Sequence, residues 1–189
     1  MNNILIIDAH PDPGDTLGHI LARTYAEGAR DTGSETRLIR VADLDFPLVR
    51  SAAEFAKPPT DAAIVSARED IAWANHLVLV FPVWLGSAPA LIRGFLEQVG
   101  RADFFAGITE YGWSPAHKEK SARLIVTMAA PSLVYRFAFG AHGVKAIARS
   151  ILGFAGVRPV RLTLFGGVTP NVSQSHRIER VRRLARREN

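Results

Sequence analysis

Residues 77–95, LVLVFPVWLGSAPALIRGF, decide the fold. Leu77–Phe81 is a short, unbroken apolar run rich in valine, which suits a strand buried on both faces, as in a parallel sheet. Pro82 closes the strand. Gly86-Ser87-Ala88 is a turn of small residues, and Pro89 occupies a position favoured at the start of a helix. Leu91, Ile92, Phe95 and Val99 then recur at helical spacing over Pro89–Val99. The wider stretch Ile71–Ile92 has no Asp, Glu, Lys or Arg in 22 residues, long enough to suggest a membrane span. Asn75, His76, Pro82, Gly86, Ser87 and Pro89 interrupt it, so the expectation is a buried strand, a turn and the start of a helix.

The same alternation runs along the chain. Asn3–Asp8 (NILIID) reads as a first buried strand. Leu17, Ile20, Leu21 and Tyr25 mark a helix stopped at Asp31-Thr32-Gly33. Thr36–Val41 reads as a weaker, more polar strand suited to an edge, and residues 60–73 as a helix. Arg123–Thr127 is the fourth strand. Val144, Ile147, Ala148, Ile151 and Leu152 mark a helix ended at Gly153 or Gly156. Val160–Phe165 is the fifth strand, and an arginine-rich helix closes the chain. Strands separated by helices imply right-handed crossovers and a parallel sheet covered on both sides. The expected architecture is α/β, with five parallel strands in the order 2-1-3-4-5, in a single domain over residues 1–189. Arg101–Lys120 is the least regular stretch, with Phe104, Phe105, Tyr111 and Trp113 among glycines. Such a loop either lines a cleft or interface, or packs on the core as a lid.

The composition excludes several chemistries. With no cysteine among 189 residues, disulfides, thiolate metal sites and a cysteine nucleophile are ruled out. The start of the chain lacks an export signal, so a cytoplasmic protein is expected. The net charge of +5 comes mainly from residues 177–188 (RIERVRRLARRE), which hold six arginines and two glutamates. Ile178, Val181 and Leu184/Ala185 keep an apolar stripe there, so the arginines read as a solvated face. No aromatics are interleaved to stack on bases, which argues against nucleic acid as a partner.

Ligands of open parallel sheets bind beyond the carboxyl ends of the strands, near the reversal of strand order. Three strand ends carry unusual sequence: Asp8-Ala9-His10-Pro11-Asp12-Pro13-Gly14-Asp15-Thr16, Phe81 to Pro89, and Thr127-Met128-Ala129-Ala130-Pro131. Their strands are neighbours in the expected order, so the loops converge. The first leads into a helix N-terminus, where free N–H groups favour an anion such as a phosphate, and Thr16 adds a hydroxyl. The second leaves backbone amides bare for a flat heterocycle, with Trp84 as a wall. The third is small enough for close approach.

Those residues resemble the flavodoxin-like NAD(P)H:quinone oxidoreductase family, which includes ancillary subunits of bacterial potassium efflux systems. The resemblance rests on the strand followed by His10-Pro11, on the segment from Pro82 to Phe95, and on Tyr135…Gly140-Ala141-His142-Gly143. It implies a flavodoxin-like three-layer sandwich binding FAD, with FMN as the alternative, and NAD(P)H as reductant. By that resemblance His10, Thr16, Leu17 and Gly18 hold the phosphate side of the flavin. Pro82, Val83, Trp84, Leu85 and Gly86 lie along the isoalloxazine, and Thr127, Met128, Ala129 and Ala130 line its other end. Tyr135 and His142 correspond to the tyrosine and histidine that assist hydride and proton transfer. The family's Thr-Thr-Gly-Gly stretch is here Thr127-Met128-Ala129-Ala130, the first loop is longer by one residue, and so is the tyrosine-to-histidine spacing.

The implied activity is hydride transfer from NAD(P)H through flavin to a quinone or similar small acceptor, in a homodimer. A histidine titrating near neutrality suits protonation of a reduced quinone oxygen, and a tyrosine hydroxyl suits hydrogen bonding to it. The alternatives are a non-catalytic flavin-binding electron carrier, or a regulatory subunit docked on a membrane transporter without inserting into the bilayer. A zinc deacetylase is a minor alternative, suggested by Ala9-His10-Pro11-Asp12. It needs a second carboxylate where Pro13 stands and a His-x-x-His pair, which the chain lacks, so no metal is expected.

Overall fold

The computed structural model describes residues 2–110, 112–169 and 172–187, which leaves Tyr111 outside the described residues. Five strands form a parallel sheet: β1 (Asn3–Asp8), β2 (Glu35–Arg40), β3 (His76–Pro82), β6 (Ser121–Thr127) and β7 (Val160–Phe165). Their order is β2-β1-β3-β6-β7, the expected 2-1-3-4-5 arrangement. The remaining strands, β4 (Ala106–Thr109) and β5 (Gly112–Pro115), pair as an antiparallel hairpin.

The unbroken apolar strands are explained by two cores, one on each face. Ile4, Ile6, Val78, Val80 and Ile125 face α1 (Leu17–Arg30) and α7 (Ser175–Ala185). Leu5, Ile7, Leu79, Phe81, Leu124 and Val126 face the other way, toward α3 (Ala62–Trp73), α4 (Ala90–Val99) and α6 (His142–Lys145). Side chains alternate across a strand, so a strand covered on both sides has no polar position to spare. β2, at the sheet edge, has half of its side chains exposed and only Ile39 buried, as its polar sequence requires.

Helix starts follow local chemistry. Thr16 caps α1 by accepting a hydrogen bond from the His19 amide, and Asp61 caps α3 by accepting from the Ala63 and Ile64 amides. α6 continues without a break into a π-helical segment, Ala146–Leu152. On α7, Val181 and Ala185 are buried against α1, where Gly28 lies so close that a β-carbon would stand 3.0 Å from the Arg182 carbonyl. The arginines between them face outward, and Arg186 pairs with Asp31 at 2.8 Å.

The structure adds elements that periodicity misses because they are too short to show it. These are α2 (Ala52–Phe55), α5 (Ser132–Phe137) and the β4–β5 hairpin. The hairpin lies inside the stretch read as irregular; Trp113 on it stacks on Phe154, with centroids 5.1 Å apart. Among the described residues, no helix is long and apolar enough to cross a membrane. Ile71–Ile92 forms the end of α3, all of β3, a turn and the start of α4.

Candidate active site

A cleft of about 510 Å³ opens at the carboxyl ends of β1, β3 and β6, where the order of crossovers reverses. The three loops singled out in the sequence meet there. His10, Thr16, Leu17 and Gly18 form one wall, Pro82, Val83 and Trp84 the second, and Thr127, Met128 and Ala129 the third. Asp15, Ile20, Val168, Thr169 and Gln174 complete the lining. The sequence reading assigns a binding role to none of those five, although Asp15 stands in the first loop it singles out. Val168 and Thr169 follow the end of β7, so extending the strand-end rule to the fifth strand would have found them.

The first loop is anchored from below. Asp8, the last residue of β1, meets His19 of α1 through Oδ2 and Nδ1 at 2.6 Å, both side chains buried. The other ring nitrogen of His19 donates to the Asp12 carbonyl at 2.8 Å. The His10 ring sits edge-on to His19 and to Trp84. Gly18 lets it lie against the start of α1, since a β-carbon there would stand 3.2 Å from the His10 ring. Burial lowers the His10 pKa, the neighbouring His19 lowers it further, and Asp12 and Asp8 oppose both. His10 Nδ1 accepts the Asp12 amide proton at 3.2 Å, which leaves Nε2 as the N–H donor of the neutral ring.

The second loop departs from expectation in detail. The amides of Val83 and Trp84 are not bare. They donate to the carbonyls of Thr127 and Ser87 at 2.7 and 2.9 Å. Ser87 returns a bond to Trp84 at 3.0 Å, closing a tight turn whose central residues, Leu85 and Gly86, have φ of 49° and 78°. Positive φ at both positions is the type I′ pattern. Glycine accepts it, whereas for leucine it is strained, and the Leu85 side chain stands fully exposed. Leu85 and Gly86 do not line the cleft as their neighbours do. Their contribution is a pair of amides that the turn leaves without a partner among the described residues.

Tyr135 supports this turn, and neither it nor His142 lines the cleft. The buried Tyr135 phenol donates to the Gly86 carbonyl at 2.9 Å, and burial raises its pKa, keeping it protonated. His142 is exposed. Next to it, Gly143 packs so tightly on the turn that a β-carbon would fall 2.5 Å from the Gly86 carbonyl. Ala130 also lies off the cleft wall. Its carbonyl and that of Met128 accept from Gly167 and Val168, and the Met128 amide donates to Phe165. The third loop is therefore clamped to the chain that leaves β7, and the Ala129 and Ala130 amides stay unpaired among the described residues.

These features fit a flavin. The volume is in the range of small-ligand pockets. One end offers a helix N-terminus, the Thr16 hydroxyl and a histidine N–H for a phosphate. The walls between are apolar and aromatic, and the Ala129 amide on the third wall is unpaired among the described residues. Among the described residues, no group of three His, Asp or Glu side chains is placed to hold a metal ion.

Comparison with known proteins agrees with this architecture. A ribosyldihydronicotinamide dehydrogenase-like protein of Penicillium crustosum is 26% identical over 155 residues, covering 66% of this chain and 57% of that protein. The chain thus spans a little over half the length of that relative. Among solved structures, an NAD(P)H:quinone oxidoreductase from Methanothermobacter marburgensis superposes with a TM-score of 0.84, at 17% identity, covering 100% of this chain and 99% of that one. An FMN-dependent NADH-azoreductase from Bacillus anthracis, in complex with FMN, gives 0.79 at 16% identity, with 99% of each chain covered. Both share the fold. The family model described as flavodoxin-like fold matches residues 2–187, and the chain belongs to that family.

Proposed function

We propose that this chain is a single-domain flavin-dependent oxidoreductase, which takes electrons from NAD(P)H and delivers them to a quinone or another flat acceptor such as an azo compound. The observation that carries the reading is the convergence of three separate loops on one cleft, with an anion-binding end and a rim of unpaired amides. The names of the similar proteins, which include a quinone oxidoreductase and an FMN-dependent azoreductase, support it.

When bound, a flavin supplies the electron chemistry, accepting hydride and passing two electrons on. The chain supplies position and electrostatics. Thr16, the amides of Leu17 and Gly18, and His10 Nε2–H hold the phosphate end. Pro82, Val83 and Trp84 form one side of the slot for the ring, and Thr127, Met128 and Ala129 the other. The amides of Leu85 and Gly86, which have no partner among the described residues, would serve as preorganised donors to a polar edge of the flavin. Tyr135 fixes that turn by holding the Gly86 carbonyl, so its role is positioning. His142, exposed next to Gly143, is the proposed proton donor to an acceptor bound over the site.

The test is the visible spectrum of the purified protein, release and identification of the flavin as FMN or FAD, and the rate of NAD(P)H oxidation with and without a soluble quinone. The proposal expects bound flavin and rapid oxidation that depends on the quinone. Bound flavin with slow oxidation identifies an electron carrier instead. Failure to bind either flavin overturns the reading altogether.

A further inference from the structure

A second hollow, of about 560 Å³, lies along β7 between α5, the α6–π segment and α7, and shares no residue with the cleft. Its floor is apolar. Val160, Leu162 and Leu164, alternate residues of β7 and so on one face of it, present their side chains there, and Leu162 is 43% exposed. Its rim is cationic, with Arg136 from α5, Lys145 from α6, Arg149 from the π segment and Arg180 from α7. No acidic residue lines the hollow.

The charge there is unbalanced. Several cations elsewhere are matched: Arg37 with Asp70, Arg101 with Glu54, Arg182 with Glu179, Arg186 with Asp31. Among the described residues, none of the four rim cations has a carboxylate within ion-pair distance. Arg180 and Arg136 rest on the rings of Phe165 and Phe137. Like charges around one concavity repel, and an anion placed among them relieves that repulsion. A fully hydrated anion would gain nothing from the leucine and valine floor. A second copy of the same surface would set cation against cation. A nucleic acid would find no aromatic residue in the lining on which to stack a base.

We propose that this hollow binds a free amphiphilic anion: a carboxylate, sulfate or phosphate carried on an apolar chain or ring. The charged group meets the arginines and Lys145, and the apolar part covers β7. The site is independent of the flavin cleft, so either can fail without the other.

The test is calorimetric titration of the full chain, with whatever flavin it carries, using decyl phosphate below its micelle concentration. Decanol, inorganic phosphate and vesicles containing phosphatidylglycerol are the comparison probes. The proposal expects one decyl phosphate per chain, weakened by salt. It also expects binding about tenfold weaker or more in the Arg136→Gln/Arg149→Gln variant, in line with the loss of charged hydrogen bonds. Decanol and inorganic phosphate should each bind at least about tenfold more weakly, since each keeps only half of the recognition. NAD(P)H oxidation should be unchanged in the variant. Should the double variant be unstable, Arg149→Gln at its exposed position must still weaken binding. Unchanged affinity in the variants, equal binding of inorganic phosphate, or association with vesicles only would each overturn the proposal.

Discussion

Asp8 and His19 form a buried pair, 2.6 Å apart, that ties the end of β1 to the first turn of α1. The same histidine holds the Asp12 carbonyl, so one ring fixes the start and the middle of the loop that carries His10. Removing one member of such a pair strands the other in a place water does not reach. Asp8→Ala is therefore expected to cost about 3–5 kcal/mol of stability, measured by urea unfolding at neutral pH. Its flavin affinity should fall as well, because the His10 loop loses its anchor. A loss below about 1 kcal/mol, as for an exposed pair, would show that the pair is not what holds the loop.

Leu85 sits where its backbone is strained and its side chain touches little. Asn-Gly is the preferred pair for a turn with two positive φ values. Leu85→Asn is therefore expected to raise stability by about 1 kcal/mol, visible as an upward shift of the thermal midpoint. If the leucine is kept for the site, the same variant should lose turnover with a flat apolar acceptor while retaining flavin. A variant no more stable than the parent would contradict the strain argument.

His117 lies buried against Phe104 and Phe105, with Nε2 unpaired. Burial first, and Lys120 second, push its pKa down from 6.5 to about 4. In the unfolded chain it takes up a proton near pH 6.5, whereas in the fold it resists until about pH 4. Between those values the unfolded state binds more protons, so stability rises with pH across that window and levels off above it. The contribution is about 2 kcal/mol, full near neutrality and lost as the pH falls toward 4. Urea unfolding of the parent and of His117→Leu at pH values inside and above the window measures it. The difference between the two proteins should change with pH by that amount, and a constant difference would contradict the assignment.

The strand and helix sequence was legible because both faces of the sheet are covered. A strand such as Leu77–Phe81, apolar without alternation, has few other places to go. Boundaries shifted where capping chemistry decides them, as at Asp61, which starts α3 two residues inside the expected range. The cleft was legible through the strand-end rule applied to β1, β3 and β6. What stayed hidden depends on contacts between residues distant in sequence. Val83 gives its amide to Thr127, 44 positions away, so it is not free for a ligand. Tyr135 reaches the Gly86 carbonyl and not the cleft. The Asp8–His19 pair spans 11 residues, and no local pattern announces it.

We propose that the cleft between the His10, Trp84 and Met128 loops holds the flavin. Ala129 lines it with a small, exposed side chain, so Ala129→Trp fills the space without disturbing either core. Fluorescence titration of FMN and FAD into the flavin-free parent and variant measures this directly. The expected result is one flavin per chain in the parent and at least about a hundredfold weaker binding in the variant, a loss of about 3 kcal/mol, with an unchanged unfolding midpoint. Equal flavin affinity in the two proteins would place the cofactor elsewhere and contradict the account.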